Sequence, residues 1–202
     1  MTTVPHSPRP AVHLLGGAGK TGRRVAARLA GRGHPVRLAS RSSELRFDWA
    51  HPRTYGAALA GAGAAYLAYY PDISFPGAAA EIRRVAEAAA EQRVRRLVLL
   101  SGRGEPDAEP AENALRTVAD AYGIDWTIVR CAWFMQNLSE HFLLQPVLDG
   151  VIALPAGTVT EPFVDLDDVA DVVAAALTRP GHEGRVYDLT GPELLSFAEI
   201  AR

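Results

Sequence analysis

The stretch Ala11-Val-His-Leu-Leu-Gly-Gly-Ala-Gly-Lys-Thr-Gly22 decides the fold. Its first five residues are an apolar run of strand length. The remaining seven place glycines at 16, 19 and 22, with a further one at 17. Val25 and Leu29 then recur among arginines and alanines until Gly31 and Gly33, a pattern that predicts a helix stopped by glycine. Pro35-Val-Arg-Leu-Ala39 reads as a second strand. Strand, glycine turn, helix and strand in this order form the βαβ unit of a parallel sheet.

The alternation continues outward from that unit. Strands are expected at Ala64 to Tyr70, Arg95 to Leu100, Trp126 to Arg130, Val151 to Leu154 and Val186 to Leu189. Helices are expected at Gly77 to Gln92, Glu112 to Tyr122, Trp133 to Leu148 and Asp167 to Leu177. Most of the strands are unbroken apolar runs, as in parallel sheets covered on both faces. The expected architecture is α/β, a doubly wound and mostly parallel sheet of Rossmann type. Ser196-x-x-Glu199 is a capping box, yet few residues follow it, and so short a helix calls for more chain behind it. A small C-terminal portion, cut short, is therefore expected.

Composition narrows the function. Of 202 residues, 48% are apolar and 22% charged, as in an ordinary folded domain. A formal net charge of −2 gives no footprint for nucleic acid. One cysteine and scattered histidines supply neither a disulfide nor a metal set. No apolar run approaches the roughly 18 to 20 residues of a membrane span. Met1 to Pro10 lacks the apolar core of a secretory signal, so a cytoplasmic setting is expected. Of the 21 basic residues 20 are arginine, and the one lysine is Lys20.

Glycines between a first strand and a first helix let backbone amides approach a pyrophosphate, with the helix N-terminus adding partial positive charge. Gly16, Gly17, Ala18, Gly19, Lys20, Thr21 and Gly22 are thus the expected dinucleotide cradle. Gly19-Lys20-Thr21 also imitates the end of a nucleotide-hydrolase P-loop, but that motif needs a small residue where Leu14 stands. A site for NAD(H) would place an acid at the end of the second strand. Here that strand runs into Ser40-Arg41-Ser42, with no acid before Glu44. Arg41 can pair with a 2′-phosphate, with Ser40 and Ser42 as further donors, which favours NADP(H) over NAD(H). The chain divides into a flexible leader (1–10), a dinucleotide-binding Rossmann core (11–130) and a substrate-side segment integrated with it (131–202).

Four linked stretches carry a family resemblance. They are the glycine motif, Trp126 to Arg130 followed by Trp133 to Asn137, Pro162 to Ala170, and Tyr187 to Pro192. Together they resemble the NmrA-like, atypical branch of the short-chain dehydrogenase/reductases, over nearly the whole chain. The resemblance implies NAD(P)H binding and, in enzymatic members, reduction of quinones and related electrophiles. It implies that Asp48 and Trp49 contact the adenine, that Tyr69, Tyr70 and Pro71 lie near the riboses, and that Ser101 and Gly102 lie beside the nicotinamide. It places the substrate pocket along Trp133, Phe134 and Asn137, with Cys131, where the family usually has proline, as either a packed hydrophobe or a pocket thiol.

One departure bears on mechanism. Typical short-chain dehydrogenases use Tyr-x-x-x-Lys for proton donation. The six tyrosines stand at 55, 66, 69, 70, 122 and 187, and Lys20 follows none of them at that spacing. No residue is assigned as catalytic. The first functional expectation is an NADPH-dependent reductase of a planar electrophile such as a quinone or enone, whose stabilised anion takes its proton from water. The second is a non-catalytic NADP(H)-binding redox sensor. The expected partner is a small molecule, without nucleic acid or membrane, and a homodimer is compatible with the sequence.

Overall fold

The computed structural model describes residues 9–140 and 142–200. Of the expected leader only Arg9 and Pro10 fall among them, both exposed and irregular, and the rest lies outside. Seven strands form one parallel sheet: β1 (Ala11–Leu15), β2 (Val36–Ser40), β3 (Leu45–Arg46), β4 (Ala62–Leu67), β5 (Arg96–Gly102), β6 (Asp125–Cys131) and, as the eighth strand in the chain, β8 (Arg185–Leu189). Their order is β3-β2-β1-β4-β5-β6-β8. The chain leaves β1 to one side through α1 (Lys20–Gly31), then returns to the other side at β4. The topological switch point, where ligands bind in open α/β sheets, therefore lies between the carboxyl ends of β1 and β4.

The sheet is buried on both faces because successive side chains point opposite ways. Leu14, Tyr66, Val98 and Val129 face α1 and α7 (Leu166–Thr178), where Val25, Leu29, Val169 and Val173 meet them. Leu15, Leu67, Leu97, Leu99 and Ile128 face α2 (Tyr55–Leu59), α3 (Ala78–Glu91) and α4 (Glu109–Tyr122), where Leu59, Ile82, Val85 and Leu115 close the second core. β2 is the exception. Its Arg37 and Leu38 are exposed, since β3 beyond it pairs through only two residues, Leu45 and Arg46.

Three expected elements differ from the structure. The strand expected to reach Tyr70 ends at Leu67, and the pairing with β5 stops there. No helix spans 133–148. Phe134 instead makes a parallel bridge with Val164, and α5 (Asn137–Glu140) and α6 (Leu144–Leu148) are separate short turns. The apolar spacing is helical, but Pro146 has no N–H to give to residue 142, and the Val164 backbone offers a better partner. Val151 to Leu154 forms no strand. A small antiparallel pair, β7 (Thr160–Glu161) with β9 (Leu195–Ser196), stands nearby instead. The Ser196–Glu199 capping box does form, each backbone N–H donating to the other's side chain, and it opens α8 (Phe197–Ile200).

The glycine turn is sterically closed. Gly16 has φ +82°, in the left-handed region. A Cβ on Gly22 would stand 2.5 Å from the Gly17 Cα and 2.6 Å from its carbonyl oxygen, both backbone atoms. Gly22→Ala should therefore cost about 2 kcal/mol. In thermal unfolding that would lower the midpoint by roughly 4–8 °C for a chain of this size.

His13 in β1 is 1% exposed, and its Nδ1 lies 2.8 Å from the Ala58 carbonyl oxygen, to which it donates. Burial holds the imidazole pKa below its usual value, and the Arg37 charge adds to this against that hydrogen bond. The folded state thus keeps His13 neutral at a pH where the unfolded chain already takes up its proton, so stability is lost as pH falls through about 6.5. Urea titrations over this range should show a shallower loss for His13→Asn, which donates to Ala58 without titrating.

Candidate dinucleotide and substrate site

The turn after β1 is held by its own backbone: Gly17 N–H donates to Leu14 O at 3.0 Å and Gly19 N–H to Gly16 O at 3.0 Å. Gly19 caps α1 with no side-chain bond, and the first turn carries no acid. The amides of Ala18, Lys20, Thr21 and Gly22 consequently have no acceptor among the described residues. Four free N–H groups at the positive end of a 12-residue helix are what a pyrophosphate requires.

A second cluster lies past the end of β2. The Ser40 hydroxyl accepts the backbone N–H groups of Ser42 (3.3 Å) and Ser43 (3.1 Å), folding the chain so that Arg41 projects outward. The Arg41 guanidinium stands 5.6 Å from the ring centre of Tyr70, which is itself exposed, as is Pro71. Arg41, Arg46, Arg53, His51 and Asp48 line a cleft of about 240 Å³. Its three guanidinium groups outnumber its one carboxylate. The Ala50 N–H, with His51 beside it, holds Asp48 below the usual carboxylate range. Trp49 is buried, and its indole N–H donates to Ala68 O at 3.1 Å. Half-buried Tyr69 packs against it at 4.9 Å. Sequence reading missed Arg46, Arg53 and His51, whose spacing carries no motif until the 41–54 segment curls around them.

At the end of β5, Ser101 is buried and its hydroxyl donates to Glu112 Oε1 at 2.7 Å. Glu112, in the first turn of α4, is 1% exposed and accepts Arg130 Nε (2.8 Å), Arg130 Nη2 (2.6 Å) and Arg116 Nη2 (2.9 Å). Two guanidinium groups and one hydroxyl thus satisfy the buried carboxylate. Gly102 lies beneath the Glu105 carboxyl, which would stand 2.7 Å from any Cβ there. Partial burial and the nearby Asp72 push the Glu105 pKa up. Glu105 was another residue missed, legible in the sequence only as one of several loop acids.

The substrate-side residues lie across the top of α1. Half-buried Trp133 joins Phe142 and Phe197 edge to face, and its backbone N–H donates to Glu161 Oε1 at 3.1 Å. Lys20 reaches from α1 to donate to Asn137 Oδ1 and lies 5.1 Å from the Phe134 ring centre. Glu140 pairs with Arg23 and Arg24. Gln136 bridges to Asp165, the N-cap of α7, and to the Leu166 N–H. Cys131 is 6% exposed, and burial pushes its thiol up to about 12.

A wider groove of about 750 Å³, lined by Arg9, His34, Arg95 and Arg179 among others, lies at the amino ends of the central strands, away from the switch point. Among the described residues no group of His, Cys, Asp and Glu can hold a metal ion, and no helix is long and apolar enough to cross a membrane.

The fold and the free amides at its switch point define a dinucleotide-binding α/β protein. Residues 16–180 match the family model described as NAD(P)H-binding. The chain is 36% identical, over 92% of its length and 70% of the relative's, to a (4-alkanoyl-5-oxo-2,5-dihydrofuran-3-yl)methyl phosphate reductase from Streptomyces griseus. It is 31% identical to an NAD(P)H azoreductase from Xenophilus azovorans, over 93% of this chain and 70% of that one. Its fold matches the triphenylmethane reductase of Citrobacter sp. complexed with NADP(H), with a TM-score of 0.69, 20% identity, and coverage of 94% and 73%. The chain belongs to the NAD(P)H-binding family, in the NmrA-like branch of atypical short-chain dehydrogenase/reductases, and is an NAD(P)H-dependent oxidoreductase.

A thiol buried and protonated in this way should resist alkylation. In native protein, iodoacetamide labelling of Cys131 followed by mass spectrometry should run at least about 100-fold slower than in urea-unfolded chain.

Proposed function

We propose that this oxidoreductase uses NADPH in preference to NADH to reduce a small, planar, conjugated carbonyl compound of the enone or quinone class. The reading is carried by the four unpartnered amides at the N-terminus of α1, which suit a pyrophosphate. Arg41, with Arg46 and Arg53 across the same cleft, suits a 2′-phosphate, and β2 ends without the acid that would favour a ribose hydroxyl.

The Streptomyces relative supports the acceptor class. Its named substrate is a 5-oxo-2,5-dihydrofuran with a 4-alkanoyl group, a ring whose carbon–carbon double bond is conjugated to carbonyls. Bound NADPH supplies the hydride that forms the new C–H bond. The acceptor's π pair moves to its carbonyl oxygen, and water returns the proton. The protein contributes orientation and the electrostatics around that oxygen. No Tyr–Lys dyad is needed, since the developing anion is delocalised.

Purified protein should oxidise NADPH in the presence of menadione or cyclohexenone, followed by loss of nicotinamide absorbance. Arg41→Ala should raise KM for NADPH roughly 10- to 100-fold and leave that for NADH unchanged, the scale of a lost charge-assisted contact. NADPH binding with no turnover of either acceptor would overturn the enone and quinone reading of the site.

A further inference from the structure

Lys20 is the chain's one lysine, and its side chain joins the glycine turn to the substrate-side segment. Its ammonium group has protons to give and no lone pair, so it faces the oxygen of the Asn137 amide and fixes which way round that amide sits. The Asn137 Nδ2 is then left with two protons that have no acceptor among the described residues. The segment carrying it is tied down on both sides. Glu140 pairs with Arg23 and Arg24 of α1, and Gln136 holds Asp165 and the Leu166 N–H at the start of α7.

The other expected polar group, at the end of β5, is set the opposite way. The Ser101 hydroxyl donates its hydrogen bond to the buried Glu112, so it can offer a ligand only a lone pair. Of Ser101 and Asn137, the two uncharged polar side chains expected around the acceptor, Asn137 alone has protons available for a carbonyl oxygen.

We infer that Lys20 is a positioning residue that locks Asn137 as a hydrogen-bond donor, and that Asn137 Nδ2 receives the carbonyl oxygen of the acceptor. This rests on the reductase reading above and adds a residue pair and a direction of hydrogen bonding to it. As hydride adds at carbon and the π pair moves to oxygen, the growing negative charge meets an N–H polarised by an ammonium behind it. Burial draws the Lys20 pKa down, opposed by Glu140 and assisted by Arg23 and Arg24.

The test uses the 202-residue chain with NADPH and either menadione or cyclohexenone. Asn137→Asp keeps the shape and an ionic tie to Lys20 but replaces the donor N–H groups by oxygen. Its kcat should fall about 100-fold, as when one oxyanion donor is lost. NADPH Kd by fluorescence titration and thermal midpoint should not change. Lys20→Met should lower kcat roughly 10-fold, and Lys20→Arg, another donor-only cation, should recover part of that. In an Asn137→Ala background, Lys20→Met should cost nothing further.

Wild-type kcat in Asn137→Asp would overturn the inference and reduce the pair to a structural tie. A weakened NADPH Kd with unchanged kcat in Lys20→Met would also overturn it, assigning the ammonium to the pyrophosphate. Failure of the wild-type protein to turn over either acceptor is a different result, which overturns the enone and quinone reading and this inference with it.

Discussion

The backbone of Gly17 lies so close to Gly22 that no side chain fits between the turn and the first helix. That contact sets where α1 begins, and with it where four free amides point. It also seats α1 against the strand it follows, so that Val25 and Leu29 reach Leu14 and Tyr66 in one core. The carboxyl ends of β1 and β4 then flank an electropositive helix terminus with no carboxylate of its own. Cofactor binding by this protein follows from that arrangement.

A second constraint works through charge. Glu112 is buried beneath the end of β5 and receives Ser101, Arg116 and Arg130 together. Removing any one donor would leave a buried carboxylate less than fully paired, which is costly in a low-dielectric interior. The cluster ties β5, α4 and β6 together at the edge of the site. On the other side of the site Lys20 and Asn137 do the complementary work, tying α1 to α5. One tie orients a hydroxyl inward to a carboxylate, and the other turns an amide's N–H groups free.

Much of this was legible in the residues. The glycine turn, the helix after it and the central strands β4 to β6 could be read because their pattern is local: apolar runs, glycine stops and a fixed 3.6-residue period. Segments governed by distant partners could not. The stretch from Trp133 to Leu148 has helical spacing, yet Val164 captures Phe134 into a bridge and Pro146 prevents a continuous helix. Likewise Arg46, Arg53 and His51 join Arg41 in one cleft only after the 41–54 segment has folded.

By itself the sequence determined the parallel α/β class, the place of the dinucleotide turn, the lack of an acid at the end of β2 before Glu44, and that no Tyr-x-x-x-Lys spacing occurs within these 202 residues. Each of these depends on residue identity and short spacing. The tertiary structure alone decided which polar atoms keep free protons. Ser101 commits its hydroxyl hydrogen to a bond with a glutamate 11 positions away, keeping only its oxygen lone pairs free. Asn137 gained its orientation from a lysine 117 positions away. Hydrogen-bond direction depends on which partner arrives from elsewhere in the chain, and no local pattern records that.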